Sequence, residues 1–412
     1  MNFEWFIVRR MLSAKGNKDS ISAPIIKIAI AAVAIGMIIM LVAVSTGVGL
    51  QIKIREKVAA FNGHIQISNF DNNNSKVSIN PISIHQDFYP KGFYNIPEVN
   101  HIQAVATKAA IIRTETTFEG IIVKGVGKDY RWDYLKEYLV KGKIPGYIDE
   151  LNEQVLVSKY LADRLQLKVG SRFNTYFLKE DAAQTPNLRV FQVSGIFDSG
   201  FQEFDQTYLI ADIRHIQRIN KWQPDQIGTF EIFINDLSKI KQIGDQVYAQ
   251  TPSNLDAQTI ADAYYSIFEW LSLFDFNIAL ILGIMILVAG INMITALLVL
   301  ILERTSMIGL LKSLGSTDQS IRKIFLINAG YLIAVGLFFG DLIGFLLILS
   351  QKYFGLIKLD PQNYYVSEAP VYLSLTHFLL LNLGTMLLCL LMLVIPSYII
   401  TKIQPSRVLR FQ

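Results

Sequence analysis

The run Glu303–Gly315 (ERTSMIGLLKSLG) combines charge with apolar residues in a pattern suited to docking rather than to making or breaking bonds. At helical spacing Met307, Leu310/Leu311 and Leu314 share one face, and Lys312 points towards another. An apolar face on a charged helix needs a cover, which is either a groove on a partner protein or the membrane surface. A second feature lies shortly after it. Gly336, Gly340 and Gly344 repeat every four residues, leaving a helix face without side chains that lets another backbone come close. Helix packing is the default use of such a face, and substrate contact is the other. Asp341 sits within the same apolar stretch, and an ionisable group inside a span is a functional candidate by default. An interhelical hydrogen bond or a water-filled vestibule would also account for it.

Bond-making chemistry has little to stand on. No G-x-x-x-x-G-K-[ST] phosphate loop occurs, so the chain does not cradle ATP by that motif. His64, His85, His101, His215 and His377 are far apart and form no H-E-x-x-H pair, and there is no G-x-S-x-G elbow. We therefore expect no catalytic residue, no metal site and no bound cofactor in this chain. The single cysteine, Cys389, lies in an apolar run, excludes an intramolecular disulfide, and says little about redox compartment. A net charge of +4 is too small to point to nucleic acid.

Four long apolar runs must position these residues. Hydrophobic residues make up 51% of the 412-residue chain, and they are clustered. Ile28–Leu50 and Phe378–Ile400 carry no charge, Phe276–Leu302 is interrupted mainly by Asn277 and Asn292, and Ile324–Leu349 holds Asp341. Each reaches the roughly 20 apolar residues that cross a hydrocarbon core. Buried core helices are the bland alternative, and four runs this long in one chain argue against it. Around the runs, residues 1–27, the loop 303–323 and the tail 401–412 are net basic, whereas 51–272 is nearly balanced. The positive-inside rule then puts both termini and the 303–323 loop in the cytoplasm. A cleaved signal peptide would have an apolar region of about 7–15 residues and a small-residue cleavage site, and neither fits here.

The expected organisation is an amphipathic cytoplasmic helix within 1–22, spans at 23–50, 273–302, 324–350 and 376–400, and an outer domain at 51–272. The loops are 303–323 inside and 351–375 outside, with a cytoplasmic tail at 401–412. In the outer domain Thr117–Gly125, Arg189–Ile196 and Thr229–Asn235 read as strands, and Val157–Val169 reads as a short helix stopped by Gly170. Asp71–Asn74 and Gln184–Asn187 read as loops. Ile260–Asp275 is amphipathic and is expected to run into the second span as one long helix. Ser316-Thr317-Asp318-Gln319 has the form of a capping box that starts the third span. The fold class is thus a membrane protein with four transmembrane α-helices and a large α+β extracytoplasmic domain of two subdomains between the first and second.

The stretch ERTSMIGLLKSLGSTDQSIRKIFL resembles the FtsX-like/MacB-type ABC transporter permeases, and most closely the lipoprotein-releasing Lol C/E type. VLVSKYLADRLQLKVGS, VSGIFDSGFQEFDQTYLI, YYVSEAPV and IQPSRVLRF extend the resemblance over nearly the whole chain. It implies that Glu303, Arg304, Met307, Ile308, Gly309, Leu311, Leu314 and Gly315 form a coupling helix against a separate cytoplasmic ATPase, which carries ATP and magnesium. It implies outer subdomains of the porter and sabre kinds, a second permease copy or homologue, and a bacterial inner-membrane location. Ser45, Thr46, Gly47 and Val48 align with the family segment lining an outer-leaflet entrance for lipoprotein, although such small residues suit helix packing equally. C-type relatives hold a periplasmic lipoprotein carrier on a protruding hairpin. Here the corresponding segment, Leu178–Arg189, is short and different, leaving Lys179 and Arg189 either to meet an acidic carrier or to serve as surface charge. The implied function is lipoprotein extraction from the membrane. A MacB-like efflux permease and an FtsX-like regulator of a cell-wall hydrolase are the alternatives.

Overall fold

The computed structural model describes residues 3–13, 22–72, 75–114, 117–148, 150–179 and 185–402. Among them, four helices are long and apolar enough to cross a membrane: within Pro24–Asn62, Tyr265–Glu303, Asp318–Phe354 and Leu375–Thr401. The chain divides into two compact units. One comprises Met1–Gln51, Leu271–Lys358 and Glu368–Gln412, and the other Ile52–Trp270 with Leu359–Ser367.

In the first unit the helices pack through small residues and a shared apolar core around Val33, Met37, Leu41, Met293 and Phe325. At Gly336 a Cβ atom would lie 2.8 Å from Val33, and at Gly340 it would lie 2.7 Å from the Ala34 carbonyl oxygen. Gly344 similarly faces Leu41. The glycine stripe of the third-span helix is therefore pressed onto the first-span helix. Asp341 accepts a hydrogen bond from Asn382 Nδ2 at 3.2 Å, which ties the third span to the fourth. A short helix, Phe3–Ser13, buries Val8 in this core and joins Ser320 through Glu4 at 2.8 Å, while Phe3, Trp5 and Phe6 stay exposed. Residues 14–21 and the terminal IQPSRVLRF motif lie outside the described residues.

The first-span helix runs unbroken over Ser22–Asn62, twelve residues past the end of the apolar run. Its start tolerates Pro24, whose missing N–H falls among the unpaired donors of a first turn. Its extension, QIKIREKVAAFN, places Ile54, Val58 and Phe61 on one face, and all three are buried. Gly63 stops it, taking the left-handed conformation (φ +67°) in which its N–H reaches the Ala59 carbonyl at 2.8 Å.

The second unit is built on a ten-stranded mixed sheet of β1 (Ile65–Asn69), β3 (Val99–Arg113), β4 (Phe118–Val126), β5 (Leu139–Gly142), β6 (Gln154–Ser158), β7 (Arg172–Phe177), β8 (Asn187–Phe197), β9 (Tyr208–Asp212), β11 (Thr229–Ile234) and β12 (Leu255–Thr259), while β2 (Ile82–Ser83) and β10 (Gln226–Ile227) pair in a separate two-stranded sheet. The main order is β12-β1-β11-β3-β4-β9-β6-β8-β5, and β7 pairs with both β3 and β8. The ring β3-β4-β9-β6-β8-β7 therefore closes on itself. The fifteen-residue β3 belongs to both halves: its first part pairs with β11, and its second part with β4 and β7. This is the α+β domain of two subdomains.

Several local expectations are corrected. Val157 and Ser158 belong to β6, and only Lys159–Arg164 is helical, with Ser158 accepting from the Leu161 N–H. That helix is ended by Gln166 at φ +54°, not by Gly170, which instead lies in the turn before β7 and donates to the Val193 carbonyl at 2.8 Å. Asn187 is the first residue of β8 rather than a loop, and Phe70–Asn72 is a 3₁₀ turn. The remaining parts of those two loops, residues 73–74 and 184, lie outside the described residues. The helix after β12 is interrupted at Tyr264, separating Ile260–Ala263 from Tyr265–Glu303.

If the third span depends on the bare face of Gly340, Gly340→Leu should cost about 1–3 kcal/mol through overpacking against Ala34 and Met37. Gly384→Ala, where an added Cβ meets nothing within 4 Å, should cost no stability. Thermal unfolding in detergent compares the two, and equal effects would contradict this packing.

Candidate functional site

Two groups of residues are candidates, one in each unit. In the membrane unit, Glu303–Gly315 contains the helix Thr305–Ser313 and then a turn in which Gly315 has φ +90°. The third-span helix is capped by Thr317, whose hydroxyl accepts from the Ser320 N–H at 3.3 Å. The N-cap is thus Thr317 rather than Ser316, and a single cap bond stands where the reciprocal capping box was expected.

The expected apolar face is also rearranged. Ile308, Gly309 and Leu311 are buried, Ile308 and Leu311 in the unit's own core, and Met307 packs against that core. Leu310 is 53% exposed and Leu314 75% exposed, with Glu303, Arg304 and Gly315 also exposed around them. Lys312 Nζ reaches Asp318 at 2.8 Å and the Ile400 carbonyl at 2.8 Å. Arg322 stacks on Tyr398, 3.6 Å from the ring centre, and donates to Ser397 Oγ at 3.2 Å. The loop helix, the start of the third span and the end of the fourth are therefore bound together by two cations.

Of residues 45–48, Ser45 and Gly47 are buried and Thr46 and Val48 are half-exposed. Ser45 is buried, and its carbonyl accepts from the Tyr372 N–H at 2.9 Å. Gly47 faces Ile278 of the second-span helix, and the neighbouring Gly49 faces the Pro370 carbonyl. Thr46 bonds back to the Val42 carbonyl at 2.7 Å, and Thr46 and Val48 are the half-exposed members. Gly47 thus lets the second-span helix come close. In the same unit, Gln51 Nε2 joins the second-span helix at the Leu271 carbonyl (3.2 Å) and Asp275 (2.9 Å).

In the second unit, the end of the first-span helix is seated on polar groups that sequence reading did not single out. Lys124 and Glu231 form an ion pair at 2.5 Å with both side chains almost fully buried. Lys124 also donates to the Phe61 carbonyl, and Gln103 donates to Glu231 at 2.8 Å. The adjoining His64 accepts from the Ile234 N–H at 2.8 Å, and burial holds its pKa down at about 4, so it stays neutral at physiological pH. One turn earlier, Lys57 donates to the Ser199 carbonyl at 2.5 Å and the Tyr365 carbonyl at 3.0 Å. Asp205 accepts from Ser199 Oγ at 2.7 Å and the Ser199 N–H at 3.2 Å, and burial raises its pKa to about 6 against those bonds.

Aromatic rings fill the space between. Phe61 stacks on Phe204 at 4.7 Å, Phe201 on Tyr365 at 4.8 Å, and Trp270 meets Tyr365 edge-on at 5.8 Å. The quoted motifs VSGIFDSGFQEFDQTYLI and YYVSEAPV thus meet in space. Lys179 follows the end of β7, and Arg189 lies within β8, where it faces Thr175 in the ladder. Among the described residues no His, Cys, Asp and Glu group suits a metal ion.

Comparison with known proteins matches both units. The family model for the FtsX-like permease C-terminal region matches residues 279–405, and that for the MacB-like periplasmic core domain matches residues 28–264. The chain is 23% identical over 422 residues to the lipoprotein-releasing system transmembrane protein LolC of Buchnera aphidicola subsp. Schizaphis graminum, covering 99% of this chain and 94% of that one. The LolC of Haemophilus influenzae is 23% identical over 266 residues, which is 63% of this chain and 64% of the relative, just under two thirds of its length. The crystal structure of the periplasmic region of MacB from Actinobacillus actinomycetemcomitans aligns with a TM-score of 0.34 and 14% identity, covering 50% of this chain and 92% of that one.

Breaking the Lys124–Glu231 pair from one side should be far worse than removing both charges. Lys124→Met alone leaves a buried carboxylate and should cost about 3–5 kcal/mol, and adding Glu231→Leu should recover most of it. A double-mutant cycle on unfolding checks this, and additive losses would contradict it.

Asp205 supplies a pH test. An unfolded aspartate titrates near 3.8, so a native value of about 6 means that the folded chain binds the extra proton. That stabilisation is complete below 3.8 and disappears as pH rises through about 6. The unfolding temperature of the wild type relative to Asp205→Asn should therefore fall between pH 4.5 and 7.5. Parallel curves would contradict the assignment.

Proposed function

The chain belongs to the FtsX-like, MacB-type ABC transporter permeases, and from that membership we propose that it is the permease subunit of an exporter that extracts lipoproteins from the outer leaflet of a bacterial inner membrane. The observation that carries this reading is the alignment with a lipoprotein-releasing system protein over 99% of the chain, domain and spans together. A separate cytoplasmic ATPase, holding ATP and magnesium, supplies the energy. A second permease, identical or homologous, completes the membrane part, and a periplasmic carrier receives the cargo. The basic flanks of the spans put both termini and the 303–323 loop on the ATPase side.

Physical cost favours a route that never wets the lipid. A three-chain anchor carries on the order of 40 CH₂ groups, and at ~0.8 kcal/mol each their exposure to water costs roughly 30 kcal/mol. The permease lowers that cost by keeping the chains against apolar helix surface, where Thr46 and Val48 are the half-exposed residues of the first-span segment. ATP-driven movement enters through Leu310 and Leu314, the exposed apolar pair on the loop helix, with Glu303, Arg304 and Gly315 beside them. Ile308 and Leu311 transmit that movement inward, because they are embedded in the core shared by the spans.

Proteoliposomes containing the chain, its cognate ATPase and a labelled triacylated lipoprotein should release the label only with ATP. ATP hydrolysis without release overturns the lipoprotein reading, and release of soluble amphiphiles instead moves it to efflux. Leu310→Asp with Leu314→Asp should lower permease-dependent stimulation of the ATPase by about tenfold while the protein stays folded, because a charge in a desolvated contact costs more than 1.4 kcal/mol. Unchanged stimulation removes this surface as the docking site.

A further inference from the structure

Three chain segments that continue into membrane spans are built into the non-membrane domain. They are Ile52–Asn62 at the end of the first-span helix, Tyr264–Trp270 before the second, and Leu359–Ser367 between the third and fourth. Within that domain a single side chain joins two of them to the β8–β9 connection. Lys57 is 6% exposed, and its ammonium donates to carbonyls 142 and 308 residues away in sequence, Ser199 at 2.5 Å and Tyr365 at 3.0 Å. Phe201 stacks on Tyr365 beside it, and Trp270 closes on the other side of the same ring.

A buried ammonium is an expensive way to fasten two loops, since desolvation opposes its charge. An apolar residue at this helix position would extend the face of Ile54, Val58 and Phe61 at lower cost, but it would satisfy neither carbonyl. What the lysine supplies is direction. Its three donors hold backbone atoms of two separate loops at a fixed distance from one helix, with geometry that apolar contact does not impose.

We infer that Lys57 is the positioning residue of transport, the strut that makes the 198–201 connection and the 359–367 loop follow the first-span helix as one body. Resting on the permease reading above, this assigns the step between helix movement and domain movement to one cation. Lys57→Met keeps the length and helix preference of the side chain and removes the strut. Lys57→Arg keeps a cation with several donors.

The test uses the full chain with its ATPase in proteoliposomes, carrying a dye on Tyr248→Cys in a Cys389→Ala background, Tyr248 being exposed. ATP should change the dye signal in the parent. Lys57→Met should reduce that change by about fivefold or more while ATP hydrolysis stays within about twofold, and Lys57→Arg should restore at least about half of it. Should Lys57→Met fail to fold, Tyr365→Ala, which leaves Lys57 in place and removes the ring that seats the loop, should give the same split between signal and hydrolysis. A dye response that survives in these variants overturns the inference, as does a parallel loss of response and hydrolysis in folded complexes. If the parent shows a Lys57-dependent response but releases no lipoprotein, the cargo reading fails and the strut stands. Release that persists in Lys57→Met removes the strut and leaves the cargo reading intact.

Discussion

The backbone of the first-span helix is hydrogen-bonded without interruption from Ser22 to Asn62, so the same rod that suits hydrocarbon at Ile28–Leu50 carries Lys57 and Phe61 into a polar, aromatic setting. Hydrocarbon demands that continuity over the apolar part, because an unpaired peptide group there costs several kcal/mol. Beyond Leu50 water would accept a break. What maintains the helix is the burial of Ile54, Val58 and Phe61, and what ends it is Gly63 beside the Lys124–Glu231 pair. The other features of the domain are arranged around that end.

Charged side chains perform related tasks at two places along the sequence. In the membrane unit Lys312 and Arg322 bind the loop helix and the third-span start to the last turns of the fourth span. In the domain Lys57 and Lys124 bind the first-span extension to loops and sheet. In three of the four cases the cation donates to a backbone carbonyl, which fixes chain position irrespective of the side chain that the acceptor residue carries. The apolar helix faces between these places, including the glycine stripe at 336, 340 and 344, supply close packing. A division of labour follows in which small residues bring helices together and buried cations fasten the segments that leave them.

The sequence was informative where a single long signal decided the outcome. Four apolar runs and three β-rich segments marked the spans and β4, β8 and β11, because burial on all sides or on alternate residues leaves a periodic trace. It was less informative at boundaries. Val155–Ser158 is a short apolar run that fits strand or helix, and only pairing with β8 and β9 makes it a strand. Periodicity marked Met307, Leu310/Leu311 and Leu314 as one face, yet Ile308, left off that face, is fully buried while Leu314 is open. Spacing identifies apolar positions, and tertiary packing decides which are covered. The Lys57 junction left no local trace, since its partners are 142 and 308 residues distant. Its nearest hint was a lysine followed at four residues by Phe61 in a stretch with helix-forming residues beyond the end of a span.

The central claim is that movement begun at the cytoplasmic loop reaches the domain through a first-span helix that stays intact. Hydrogen exchange of the Gln51–Asn62 amides, measured in the assembled transporter with and without nucleotide trapped on its ATPase, tests it most directly. The account predicts strong, equal protection of these amides in both states. Protection that collapses over Gln51–Asn62 when nucleotide binds would show that the rod melts at the domain boundary, and would contradict it.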